Sequence, residues 1–143
     1  VPFLSPPPAG DCDLPQEWRA VLRVLWLVGV AAVLVVSCLP ASSPPIQALD
    51  ALPLSDKLQH AAAYLALAFL PALHEERRAI VALALGLIAM GAGLEFCQLL
   101  AEGRYFSVAD MAADLGGVLL GTGVGLAARG WIGLAARRNV PEF

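Results

Sequence analysis

The stretch Ala79 to Ala101, AIVALALGLIAMGAGLEFCQLLA, decides the fold. As a helix rising 1.5 Å per residue it runs roughly 30 Å, the depth of a bilayer's hydrocarbon core, and its one acid is Glu95. A second run of this kind extends from about Val108 to Ala128. A third, from about Val21 to Leu39, is broken only by Arg23 and stopped by Pro40 and the Pro44-Pro45 pair. Leu58 to Leu73 is shorter, but Lys57 at its start can snorkel to an interface and lengthen it. The chain has 143 residues, 59% hydrophobic and 15% charged, with a mean hydropathy of +0.73. A water-soluble fold of this length could not hide so much apolar surface. The expected fold is an all-α integral membrane bundle of four transmembrane helices, at about residues 21–39, 57–73, 79–101 and 108–128.

Around these spans, residues 1–17, with Pro6, Pro7 and Pro8, read as a disordered tail. Residues 18–130 read as the membrane domain, and 131–143 as a short basic cytoplasmic tail. With four spans, one side of the membrane receives both termini and the middle connection. Arg19, Arg23, Arg77, Arg78, Arg129, Arg137 and Arg138 fall there, and only Lys57 and Arg104 fall opposite. The positive-inside rule then puts both termini in the cytoplasm. Trp18, Trp26 and Trp131 suit interfacial anchoring, and Glu75-Glu76-Arg77-Arg78 reads as a solvated turn. The net charge of -3 supplies no basic surface for nucleic acid. Cys12, Cys38 and Cys97 have no pairing or zinc spacing.

Ionisable groups inside a span are costly and call for partners, water or a function. Helical spacing puts Lys57, His60 and Tyr64, beside Asp56, on one face of the second span. Glu95 and Gln98 share a face of the third, and Asp110 and Asp114 lie one turn apart on the fourth. The alternating directions of the spans bring all of them to the outer half of the bundle. That coincidence in depth points to a shared cavity, the alternative being a polar network that only fixes packing. With Glu102 and Arg104 the group holds five acids and two bases, so protons, a protonated His60 or a cationic ligand group must balance it. Below Asp114, Gly117, Gly121 and Gly125 form a small-xxx-small ladder for close helix packing within the bundle, or else for a homodimer through the Gly117-Gly121 face.

The series Asp56-Lys57-x-x-His60-x-x-x-Tyr64, Glu95-x-x-Gln98, Gly103-Arg104-x-Phe106-x-x-x-Asp110 and Gly117-x-x-x-Gly121 resembles the VanZ-like family over about Asp56 to Gly125. One departure is Asp114, where the family pattern leads us to expect asparagine. The resemblance implies a bacterial cytoplasmic-membrane protein related to one that confers low-level teicoplanin resistance, and it implies no reaction.

Three functions fit these residues. In the first, the cavity binds a membrane lipid or lipid-linked envelope precursor through Asp56, Lys57, His60, Tyr64, Glu95, Gln98, Arg104, Asp110 and Asp114, with Arg104 and Lys57 on phosphate. In the second, an intramembrane hydrolase or transferase uses His60, Glu95 and Asp110 as its catalytic groups, with His60 oriented by Asp110 or Asp114. The third is a small ion- or proton-coupled transporter. No phosphate loop, GxSxG elbow or HExxH helix is present, and neither a cofactor nor a metal is expected.

Overall fold

A computed structural model describes residues 15–100 and 103–138, with side chains as far as Gly133. Most of the Pro-rich tail, Cys12 and Glu102 lie outside the described residues. The described chain is all-helical: α1 Gln16–Ser37, α2 Pro44–Asp50, α3 Asp56–His74, α4 Arg77–Gln98 and α5 Val108–Arg138. By length and apolarity α1, α4 and residues Val108–Gly133 of α5 could each cross a membrane. The 19-residue α3 carries Asp56, Lys57, Gln59, His60 and His74 and does not reach that apolarity.

Several boundaries differ from the sequence reading: α1 begins at Gln16, inside the stretch 1–17 read as a tail, and α4 ends at Gln98 rather than at residue 101. The pair Pro44-Pro45, read as a stop, also opens α2: proline fits the first turn of a helix, where its missing N–H costs nothing and its fixed φ is already helical. At the other end α5 continues beyond residue 128 to Arg138, through most of the segment assigned to a basic tail.

The molecule is inverted in polarity. Leu25, Leu27, Val28, Val35, Val81, Leu85, Leu119 and Leu120 are exposed, whereas Glu95, Gln98, Asp110, Asp114 and His74 are buried. Water would not tolerate such an apolar exterior, but lipid would.

At the centre, α3 packs against α1, α4 and α5, most extensively against α5. The glycine ladder makes that contact. A Cβ on Gly117 would collide with the carbonyl of Ala61, one on Gly121 with the carbonyl of Leu65, and one on Gly125 would lie 2.6 Å from Ala72 Cβ and 2.9 Å from the Phe69 oxygen. Both helices advance four residues per contact in the same direction, so α3 and α5 run parallel. The Gly117-Gly121 face is thus taken by α3 of the same chain, and a dimer through it would have to displace α3. Next to this seam Tyr64, Leu67, Ala68, Leu87 and Val118 form the buried core, flanked by Trp26, Val30 and Val33 of α1.

Pro71 lies inside α3, and its missing N–H leaves the Leu67 carbonyl, four residues earlier, without a helical donor. Trp26 Nε1 donates to that oxygen at 2.8 Å. Trp26 is therefore an internal partner rather than an interfacial anchor, while Trp18 and Trp131 are exposed as anchors would be. The last carbonyls of a helix have no intrahelical donor. Here Arg19 Nη2 donates to the His74 oxygen at 2.7 Å and Arg129 Nη1 to the Glu75 oxygen at 2.6 Å.

Arg23 donates to both Glu75 carboxylate oxygens, at 2.6 and 3.1 Å. The turn read as solvated is thus tied at Glu75 to α1 and α5. The Arg23 hydrogen bond holds the Glu75 carboxyl below its usual range, against the opposing effect of partial burial.

Two predictions follow from this packing. Gly121→Val should lower stability by about 1–3 kcal/mol or more through overpacking, whereas Gly123→Ala, with open space around it, should not; equal thermal melting of the two variants would contradict the ladder. A carboxyl with a depressed pKa stabilises the fold above its ordinary value of 4.5 and loses that contribution as pH falls through the depressed value. The melting difference between the parent and Glu75→Gln should be present at neutral pH and vanish on acidification, and a difference independent of pH would refute the linkage.

Candidate functional site

Extending the α3–α5 register one turn beyond Gly117 brings Asp114 to His60, and another turn brings Asp110 to Lys57. His60 Nδ1 lies 3.0 Å from Asp114 Oδ1. Lys57 Nζ lies 3.3 Å from Asp110 Oδ1. One turn before His60, Asp56 Oδ1 stands 3.9 Å from His60 Nε2. Asp114 occupies the place where asparagine was expected, and as an acceptor at Nδ1 it fixes the imidazole orientation with the proton on that nitrogen if the ring is neutral. Gly91 of α4 leaves room for this acid, since a Cβ there would lie 2.7 Å from Asp114 Oδ2.

α4 contributes Glu95 and Gln98, 1% and 4% exposed. Glu95 Oε2 accepts from the backbone N–H of Ser107 at 2.8 Å, and Ser107 Oγ accepts from the Asp110 N–H at 3.2 Å as α5 begins. Ser107 therefore joins the end of α4 to the first turn of α5. Its Ser-x-x-Asp pattern ahead of an apolar run is a helix-start signature that the sequence reading could have used. In the connection Gly103 has φ 75°, a left-handed conformation that favours glycine, and it precedes Arg104. Phe106 packs on Phe96 with ring centroids 5.4 Å apart.

These groups surround a cavity of about 250 Å³. Of the nine binding residues expected, Asp56, His60, Tyr64, Glu95, Gln98, Arg104 and Asp114 line it, while Lys57 and Asp110 pair with each other beside it. The sequence reading missed the wall that α1 and α2 supply. Ala32, Val33, Val36 and Ser37 of α1 and Ile46, Leu49 and Asp50 of α2 join the lining, with Gln59 and Ala63 of α3 and Leu94 of α4. Gln59 binds α2 to this wall, its Nε2 donating to the Leu49 oxygen at 3.1 Å. Nothing in the apolar pattern of α1 marks which of its faces meets a cavity.

The carboxylates of Asp56 and Asp110 and the His60 ring bring ligand atoms within 4.8 Å of one another, a spacing a metal ion could bridge. Lys57 already holds Asp110 there, so an ion would have to displace its ammonium. His60 with Asp114 has the geometry of an oriented acid or base: one ring nitrogen is held by a buried acid and the other is turned towards Asp56.

Comparison with protein-family models, with curated proteins and with solved structures yields no match.

His60→Ala should leave Asp114, 3% exposed, without its partner and cost about 1–3 kcal/mol. Asp114→Asn keeps an acceptor for His60 Nδ1 and should cost less; the reverse order in thermal unfolding would show that this hydrogen bond does not hold the two helices together.

Proposed function

We propose that the chain is a VanZ-like protein of the bacterial cytoplasmic membrane that binds a lipid or lipid-linked envelope precursor in its polar cavity. The observation that carries this reading is the mixed lining, in which Val33, Val36, Ile46 and Leu49 of α1 and α2 share one cavity with the polar groups of α3, α4 and Arg104. A lipid presents the same division, an apolar chain joined to a polar head, and arginine matches phosphate geometry. Lys57 is engaged by Asp110, so the phosphate contact rests on Arg104.

In this reading α3 is the fourth span. Its 19 residues run about 28 Å, and its packing against three other helices removes the need for a wholly apolar surface. The parallel course of α3 and α5 suits helices that enter from the same side. The arginine bias supports cytoplasmic termini, with the cavity in the outer half of the membrane. A lipid-binding protein so placed would alter how envelope-directed glycopeptides such as teicoplanin reach their targets.

A second reading is favoured by the His60–Asp114 pair: an intramembrane hydrolase or transferase in which His60 moves the proton and Glu95 takes the opposite role.

The test is a lipid-resolved mass spectrum of the purified protein. A phospholipid or envelope precursor should be retained by the parent and lost on Arg104→Ala, and a parent that retains no lipid would sink the proposal. A cleaved lipid formed by the parent and absent from His60→Ala would move the balance to the hydrolase. Reporter fusions that put the two termini on opposite sides would refute the topology.

A further inference from the structure

Glu95 is 1% exposed and lines the cavity, yet among the described residues it has no cationic partner within ion-pair distance; its one hydrogen bond comes from the Ser107 N–H. The other two buried acids of the cluster are better matched. Asp114 is held by His60 and Asp110 by Lys57. Beside Glu95 two further polar groups lack partners among the described residues. The Tyr64 hydroxyl is buried without a hydrogen bond, and the Gln98 side-chain amide makes none, although both residues line the cavity and are at least 96% buried. Buried polar groups are rarely left unmatched, and a buried charge without a counter-ion costs more still. Three such groups around one cavity describe the complement of a ligand.

That complement is a hydrogen-bonding cation. A carboxylate accepts from it, a phenol oxygen and an amide oxygen can accept as well, and the Tyr64 ring can face a positive charge. The same cavity holds Arg104, whose Nε is also buried without a partner. An anion there and an ammonium at Glu95 would satisfy both ends. We infer that the cavity selects a zwitterionic aminophospholipid, its phosphate on Arg104, its primary ammonium on Glu95, Gln98 and Tyr64, and its acyl chain along Val36 and Ile46. This rests on the lipid-binding reading above and adds the headgroup class.

The experiment offers the purified parent an equal mixture of phosphatidylethanolamine, its N-acetylated derivative and phosphatidylglycerol in detergent, and reads the retained lipid by native mass spectrometry. The parent should retain phosphatidylethanolamine over the other two on the order of tenfold, the ratio expected for one charge-assisted hydrogen bond. Glu95→Gln, nearly the same shape, should lose that preference while still retaining phospholipid. Equal retention of the three lipids by the parent would overturn the ammonium site and leave lipid binding standing, whereas retention of none would remove the lipid reading itself. A preference unchanged in Glu95→Gln would show that Glu95 is not the ammonium partner. Glycerophosphoethanolamine, the headgroup without chains, should compete weakly; competition as strong as the intact lipid's would overturn the acyl-chain contact.

Discussion

The contact between the α5 glycines and the α3 backbone governs the rest of the molecule. Gly117 and Gly121 bring the α5 backbone against the carbonyls of Ala61 and Leu65, closer than any side chain would permit. Contact at that distance admits little sliding, because a shift of one residue drives a Cβ into a carbonyl. The four-residue steps on both helices therefore set one register. From that register come His60 against Asp114 and Lys57 against Asp110 at one end, and Arg129 against the Glu75 carbonyl at the other.

α3 is consequently both the structural centre and the chemical one. A helix with a histidine, a lysine, a carbonyl freed by Pro71 and unpaired carbonyls in its last turn would be a weak element alone in lipid. Packed on three sides, it finds polar partners on α1, α2 and α5. α1 supplies Trp26 for the carbonyl freed by Pro71 and Arg19 for the last turn. α5 supplies the acids, and α2 is tied to its first turn through Gln59. Most of these bonds serve the backbone or neutralise a charge. The groups left over, Glu95, Gln98, Tyr64 and Arg104, converge on the cavity, which separates the part of the polar cluster that holds the bundle together from the part free to meet a ligand.

This division alters how the ionisable residues are understood. Read as a set, they form one acidic site that two bases only partly offset. In the folded chain Lys57 is committed to Asp110 outside the cavity lining, and Asp114 is committed to His60, so the electrostatics of the cavity itself are those of Glu95, Asp56 and Asp50 together with Arg104. The apolar wall from α1 and α2 gives that polar surface its amphipathic counterpart. It is the reason the proposed ligand is a lipid rather than a free ion.

Much of the helical architecture was legible without coordinates, because hydropathy is a local property: Ala79 to Gln98 reads as a long apolar helix wherever its neighbours lie, and the 3.6-residue period places Glu95 with Gln98 and Asp110 with Asp114. The glycine spacing likewise announced a close approach. Partner choice was not legible. His60 and Asp114 are 54 residues apart, and Asp110 and Asp114, one turn apart on one face, looked equivalent until the backbone contact chose which meets histidine and which meets lysine. The α1 and α2 wall, the role of Trp26 and the tying down of Glu75 were hidden for the same reason. A sequence states which faces of its helices are apolar or polar, whereas the rotation and register with which those faces meet arise from packing between distant segments.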